Sequence, residues 1–185
     1  MLDFYLKAFY FCSAMIRKIF ILMLLISSVA NAQATRVYFT PSLDCENHII
    51  DYIDSAKQSI DAAVYAINND AIVKALVWAH MRGVDVRILT DRTQAGQKSS
   101  LVPVLEAFGI PLRRHKHYRI QHDKFAIFDG KKAVTGSYNW TNTASRKNAE
   151  NCLFFPRKNK TVNQYLERFE NLWKLNENRQ KNTSS

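Results

Sequence analysis

From Arg36 onward the 185-residue chain alternates short β-prone runs with segments of helical periodicity, and this alternation restricts the fold more than any other feature. Arg36–Phe39 reads as a strand ending at Thr40-Pro41. A helix over about 45–57 carries Ile49, Ile50, Ile53 and Ala56 at helical spacing. Residues 59–66 form an apolar strand, and a helix over about 71–81 follows, capped by Asn69 or Asp70 and stopped by Gly83. Residues 84–89 are another strand, 90–98 a polar loop, 99–108 a helix ending at Gly109, and 111–113 a brief strand. Strand–helix–strand units imply a mostly parallel sheet covered by helices on its faces. Lys124–Phe128 and Lys132–Thr135 flank Asp129-Gly130, a hairpin signal, which makes the sheet mixed. A strand over 150–155 and an amphipathic helix over about 160–175 complete an α/β fold, a mixed, mostly parallel β-sheet sandwiched between α-helices. The apolar stripe of that last helix (Val162, Tyr165, Leu166, Phe169, Leu172, Trp173) reads as core.

The first 32 residues read as an address. Arg17-Lys18, the apolar run Ile19–Ile26 and the small residues ending Ala30-Asn31-Ala32 have the order of a secretory signal peptide cleaved after Ala32. Residues 33–185 are then one domain, exported to the periplasm or secreted, with an uncleaved N-terminal anchor as the alternative. Met15 is a more natural start than Met1. Lys7, Arg17, Lys18 and Asp3 fall in that segment, so 23 basic and 15 acidic residues, net +8, remain of the full chain's +10. A small exported domain this basic favours polyanions or anionic surfaces. Cys45 and Cys152 survive cleavage, and an oxidising compartment permits a bridge without requiring one. No zinc-like Cys/His spacing is present, so neither a structural metal nor any cofactor is expected.

The chemistry concentrates in Gln121-His122-Asp123-Lys124-Phe125-Ala126-Ile127-Phe128-Asp129. His122 and Lys124 are two apart on an entering strand, so imidazole and ammonium project together. Downstream, Gly136 permits close backbone approach, and Ser137 and Asn139 offer neutral hydrogen-bond groups two apart. If the hairpin brings these beside His122, one nucleophile, one cation and two polar groups surround a position suited to a phosphate. Glu150, at the next strand, can bond one imidazole nitrogen and leave the other free. Just upstream, Arg113, Arg114, Lys116 and Arg119 interleave with His115, His117 and Tyr118 in a loop suited to phosphate and base contact.

His122-x-Lys124-x4-Asp129 followed by Gly136-Ser137-x-Asn139 resembles the HKD signature of the phospholipase D superfamily. The layout, with one copy of the motif and Glu150-Asn151 downstream, is similar to the small bacterial Nuc-type endonucleases over essentially the whole mature chain. The resemblance implies a metal-free phosphodiesterase. His122 forms a phosphohistidine, Lys124 and Asn139 grip the phosphate with Ser137, Glu150 orients the histidine, and Asp129 contributes mainly to structure. Larger members carry two motifs. One motif per chain implies a homodimer whose two His122 side chains face each other across a two-fold axis, one as nucleophile and one as acid. The expected substrate is nucleic acid, DNA or RNA. A phospholipid head group is the alternative, and a non-catalytic nucleic-acid-binding module is the rival from another class. His48 and His80 are expected on helices away from the chemistry.

Overall fold

The computed structural model describes residues 15–19 and 34–177. The chain divides into two units, residues 1–34 and 35–185. In the first, residues 15–19 are helical and exposed. The expected signal peptide and its cleavage point lie otherwise outside the described residues.

In the second unit seven strands form one sheet: β1 (Arg36–Phe39), β2 (Ser59–Val64), β3 (Asp85–Asp91), β4 (Leu112–His115), β5 (Lys124–Phe128), β6 (Lys132–Gly136) and β7 (Asn151–Phe155). Their order across the sheet is β1-β7-β6-β5-β2-β3-β4. Among the described residues six helices accompany them: α1 (Asp44–Ser55), α2 (Asp70–Met81), α3 (Arg92–Ala95), α4 (Val102–Ala107), α5 (Asn142–Arg146) and α6 (Lys160–Leu175). The α/β class and the mixed sheet follow the sequence expectation, but the balance of directions does not. Only β2–β3 and β3–β4 are parallel, whereas β2–β5, β5–β6, β6–β7 and β1–β7 are antiparallel. Parallel pairing needs a crossover, usually a helix. A loop rather than a helix joins β4 to β5, so β5 enters beside β2 in the opposite sense, and the tight turn at Asp129-Gly130 then sets β6 antiparallel to β5. α3 and α5, too short to show periodicity, lie where a loop and no defined element were expected.

The sheet separates two cores. On one face α1 and α2 bury Ile49, Ile53, Ile72 and Leu76 against Ile60, Ala62, Ala126 and Phe128. On the other, the apolar side of α6 packs Val162, Phe169 and Leu172 onto Ala63, Leu89, Phe125 and Ile127. β5 is buried along its whole length because both faces are covered. Asn69 caps α2 by accepting from the Ile72 N–H at 2.9 Å, and Asn159 caps α6 by accepting from Val162 at 2.9 Å. The β5–β6 turn is closed by the Lys131 N–H donating to the Phe128 carbonyl, with Asp129 and Gly130 both left-handed at φ 53° and 60°. Cys45, in the first turn of α1, is disulfide-bonded to Cys152 in β7, 107 residues away.

Candidate active site

β2 ends at Val64, and Tyr65 begins the turn that follows. β5 starts at Lys124, paired antiparallel with Val64, so its entry lies at the same edge of the sheet. Open α/β sheets gather ligands where parallel strands end and their loops diverge. Lys124, Ala126 and Phe128 share one face by strand alternation, and Ala126 and Phe128 identify it as the α1/α2 face. Glu150, Cys152 and Phe154 alternate along β7 in the same way, and the last two are buried on that face. Lys124 and Glu150 therefore stand on the same side of one sheet edge, with His122 entering just ahead of β5.

His122 is exposed and lies two residues before the strand itself. Its ring meets Tyr65 edge-on, with centroids 4.6 Å apart and planes at 60°. The Lys124 ammonium lies 5.0 Å from the centre of the same tyrosine ring and donates to the His122 carbonyl at 2.7 Å. Tyr65 is itself fixed at three atoms. Its N–H donates to the Asp123 carbonyl at 3.0 Å, its carbonyl accepts from Thr90 Oγ1 at 3.2 Å, and its hydroxyl accepts from Gln94 Nε2 at 3.0 Å. Asp91 caps α3 through Thr93 and Gln94, and its second oxygen accepts from the Gln121 N–H at 3.1 Å. The backbone before the histidine is thus tied to the end of β3. Burial pushes the Lys124 ammonium below the ordinary lysine range, while Glu150 and Asp123 pull the other way.

Asn139 reaches this edge through a different set of supports. Trp140 bridges Ile67, and its carbonyl accepts from the Asn68 and Asn69 N–H groups at 2.9 and 3.0 Å. Behind it a buried cluster joins Tyr138 to Ser145 at 2.6 Å, Ser145 to Glu46 at 2.7 Å and Asn69 to Glu46 at 2.7 Å. Burial raises the Tyr138 hydroxyl to about 12, so it remains protonated throughout the physiological range. Asn139 is half-buried, and its Oδ1 is buried without a hydrogen-bond partner. Gly136 is required for close approach: a Cβ there would stand 2.2 Å from the Asn151 carbonyl oxygen. That same oxygen accepts from the Ser137 and Tyr138 N–H groups.

Several side chains of the expected site have partners of their own. Ser137 Oγ accepts from the Asn151 N–H at 3.0 Å, which fixes the start of β7. The Glu150 carboxylate accepts from Asn148 Nδ2 at 2.9 Å, while its backbone is tied to Thr40. No hydrogen bond links it to the His122 ring among the described residues. Asp129 lies at the far end of β5, about 17 Å from Lys124 at the rise of an extended strand. There its carboxylate accepts from the N–H groups of Lys57, Gln58 and Ser59, and those bonds hold its pKa below the ordinary aspartate value despite burial.

The basic loop divides in the same manner. The Arg113 guanidinium lies 4.1 Å over the Trp173 ring and donates to the Trp173 carbonyl, and Arg114 pairs with Glu106 at 2.7 Å. Lys116 and Arg119 are exposed and enter no ion pair among the described residues. His115, expected to meet substrate, is instead buried. Burial and the nearby His117 lower its pKa, so the neutral ring can accept from the Tyr118 N–H at 2.7 Å. His48 bonds the Tyr38 hydroxyl, and His80 sits in the last turn of α2, both away from this edge. Among the described residues no three His, Cys, Asp or Glu side chains gather as a metal site would need. Tyr65, Gln94 and Thr40 were not singled out from sequence. For Tyr65 a signal existed, since it directly follows the buried run Ala62-Ala63-Val64 at the strand end where α/β sites collect.

Known proteins match this arrangement. The family model described as the cardiolipin synthase, phospholipase D-like domain matches residues 49–173. A phospholipase D of Rickettsia felis is 42% identical over 115 residues, covering 62% of this chain and 58% of the relative. A mitochondrial cardiolipin hydrolase of Chlamydomonas reinhardtii is 34% identical over 129 residues, covering 70% of this chain and 57% of the relative. The chain thus spans under three-fifths of the length of these two relatives. Among solved structures, the phospholipase D family member Nuc from Salmonella typhimurium superposes with a TM-score of 0.72 at 35% identity, covering 76% of this chain and 94% of that one. The family match spans β2 through most of α6, including the strand edge that carries His122 and Lys124, and by that match the chain belongs to the phospholipase D superfamily.

Proposed function

We propose that this protein is a phosphodiesterase that cleaves nucleic acid with His122 as its nucleophile. The observation that carries this reading is the pairing of an exposed His122 imidazole with the buried Lys124 ammonium around the Tyr65 ring. One ring nitrogen of neutral His122 forms a bond to phosphorus as one ester oxygen departs. The ammonium of Lys124 and the amide of Asn139 stabilise charge on the non-bridging oxygens. The departing alkoxide takes a proton from His122 of a second copy, which supplies the opposite side of the in-line displacement. That second imidazole then accepts a proton from water, the water oxygen attacks phosphorus, and the phosphorus–nitrogen bond breaks to restore His122. One motif per chain favours this homodimer. Glu150, within electrostatic reach of Lys124, would orient the imidazole on closure with substrate.

Nucleic acid is favoured by the net charge and by Lys116 and Arg119, just upstream of His122, which are exposed and enter no ion pair among the described residues. A phospholipid head group is the second reading. It draws on the names of the relatives and on Ile120, two residues before His122 and 48% exposed. The buried disulfide favours an exported protein, since such bonds persist in oxidising compartments. Purified protein in EDTA, offered plasmid DNA, single-stranded nucleic acid and phosphatidylcholine in parallel, tests the reading. Nucleic acid cleavage that survives chelation is expected, and His122→Ala should abolish turnover while retaining binding. Turnover of lipid alone would overturn the substrate assignment. Undiminished turnover by His122→Ala would overturn the mechanism.

A further inference from the structure

Tyr118 lies four residues before His122, so at most about 14 Å of chain separates the two Cα atoms. The residue is 51% exposed. One face stacks on the His115 ring, with centroids 4.9 Å apart and planes 28° from parallel. His115 is buried and immobilised: Asn176 contacts its Nδ1 at 2.8 Å, and the Tyr118 N–H bonds its Nε2. The surrounding backbone is held as well, by Lys116 N–H donating to Asn176 Oδ1 at 3.2 Å and by Gln121 N–H donating to Asp91. A half-exposed aromatic ring within one short segment of His122 is thereby backed on one face by a rigid partner. Lys116 and Arg119 flank it, exposed and without ion pairs among the described residues.

This is the construction of a stacking platform. Aromatic rings bind single-stranded nucleic acid by stacking on successive bases, and nearby cations follow the backbone. Because the platform is preformed, little ordering is needed when a base arrives. Bases in a duplex are covered on both faces by their neighbours, so only an unpaired base can offer its face to Tyr118. We infer that the Tyr118 ring, backed by His115, is a subsite for an unpaired nucleobase that gives the enzyme a preference for single-stranded nucleic acid. The inference rests on the nuclease reading above and specifies the substrate form.

The test is a coupling measurement between the tyrosine ring and the base. Wild-type protein is offered a single-stranded oligonucleotide, an abasic oligonucleotide of the same length, and phosphatidylcholine vesicles. For the wild type, kcat/KM on the base-bearing strand should exceed that on the abasic strand by about 5- to 100-fold. Tyr118→Ala and Tyr118→Leu, the latter keeping bulk without a π face, should narrow this ratio to about twofold or less, and Tyr118→Phe should preserve it. A ratio that is the same in wild type and in both aliphatic variants overturns the platform while leaving the nuclease reading in place. Turnover of the vesicles with no cleavage of either oligonucleotide overturns the nuclease reading, and the platform falls with it.

Discussion

The ammonium of Lys124 donates to the main-chain carbonyl of His122 at 2.7 Å, so the cation of the site is bonded to the backbone of the neighbouring histidine. The contact explains how two residues just outside and just inside β5 keep a common orientation. It also places a buried charge where the fold would be more stable without one. Burial holds the Lys124 pKa below its ordinary 10.5. Between that lowered value and 10.5 the unfolded chain binds more protons than the folded chain, so this residue's contribution makes stability rise with pH across the window. Activity, which needs the ammonium, should decline across the same window. Lys124→Met should lower kcat by about 100-fold or more, as loss of a transition-state donor does, without lowering the melting temperature at pH 7. A pH–rate profile and thermal melts of both proteins check this, and a variant that loses stability but keeps kcat would contradict it.

Tyr65 touches both the imidazole and the ammonium, and its removal should disturb chemistry more than substrate binding. For Tyr65→Ala we expect kcat to fall roughly 10- to 100-fold through misplacement of His122, with a much smaller change in KM. Tyr65→Phe keeps the ring and loses only the bond from Gln94, so its kcat should stay within about threefold of wild type. Steady-state kinetics of the two variants decide the matter, and equal defects in both would shift the effect from the ring to the hydroxyl.

Asp129 should matter for stability rather than turnover. Its carboxylate satisfies three N–H groups between α1 and β2, and its backbone occupies the left-handed region that Asp and Asn tolerate best. Asp129→Asn keeps the backbone preference and should cost about 1–2 kcal/mol of stability, with kcat of the folded enzyme unchanged. The folded pKa is depressed, so the contribution is fully present above the unfolded value near 3.8 and is lost as pH falls through the folded one. Denaturation of wild type and variant at pH 7 and pH 3 should therefore show a difference at neutral pH that shrinks in acid.

The Cys45–Cys152 bond closes a loop of 107 residues and ends two positions from Glu150. Reduction, or the Cys45→Ala/Cys152→Ala double change, should cost about 2–5 kcal/mol. Melting with and without reductant measures the loss. No dependence on reductant, together with free thiols by titration, would show that the bond does not form.

Much of this architecture was legible because period and punctuation act locally. The helix over 160–175 and the strands at 36–39 and 124–128 match the expected spans, as an amphipathic stripe, a β-prone run and an apolar run bounded by Asp-Gly allow. The closeness of His122 and Lys124 was also readable from their spacing of two, although His122 lies just ahead of β5 and the shared Tyr65 ring, not strand alternation, gathers imidazole and ammonium. The basic loop was harder. Arg113 and Arg114 look like phosphate ligands in sequence, yet each has a local occupation, one on Trp173 sixty residues away and one on Glu106.

The sequence by itself determined the longer elements and the close placement of His122 and Lys124, because these depend on residue type and short-range periodicity. Tertiary structure alone decided that most strand pairs are antiparallel, that Cys45 meets Cys152, that Tyr65 bridges His122 and Lys124, and that Lys116 and Arg119, unlike Arg113, enter no ion pair among the described residues. The physical reason is the same in each case. Strand direction, disulfide pairing and the fate of a charge depend on which distant segment arrives beside them, and no local pattern of residues encodes that arrival.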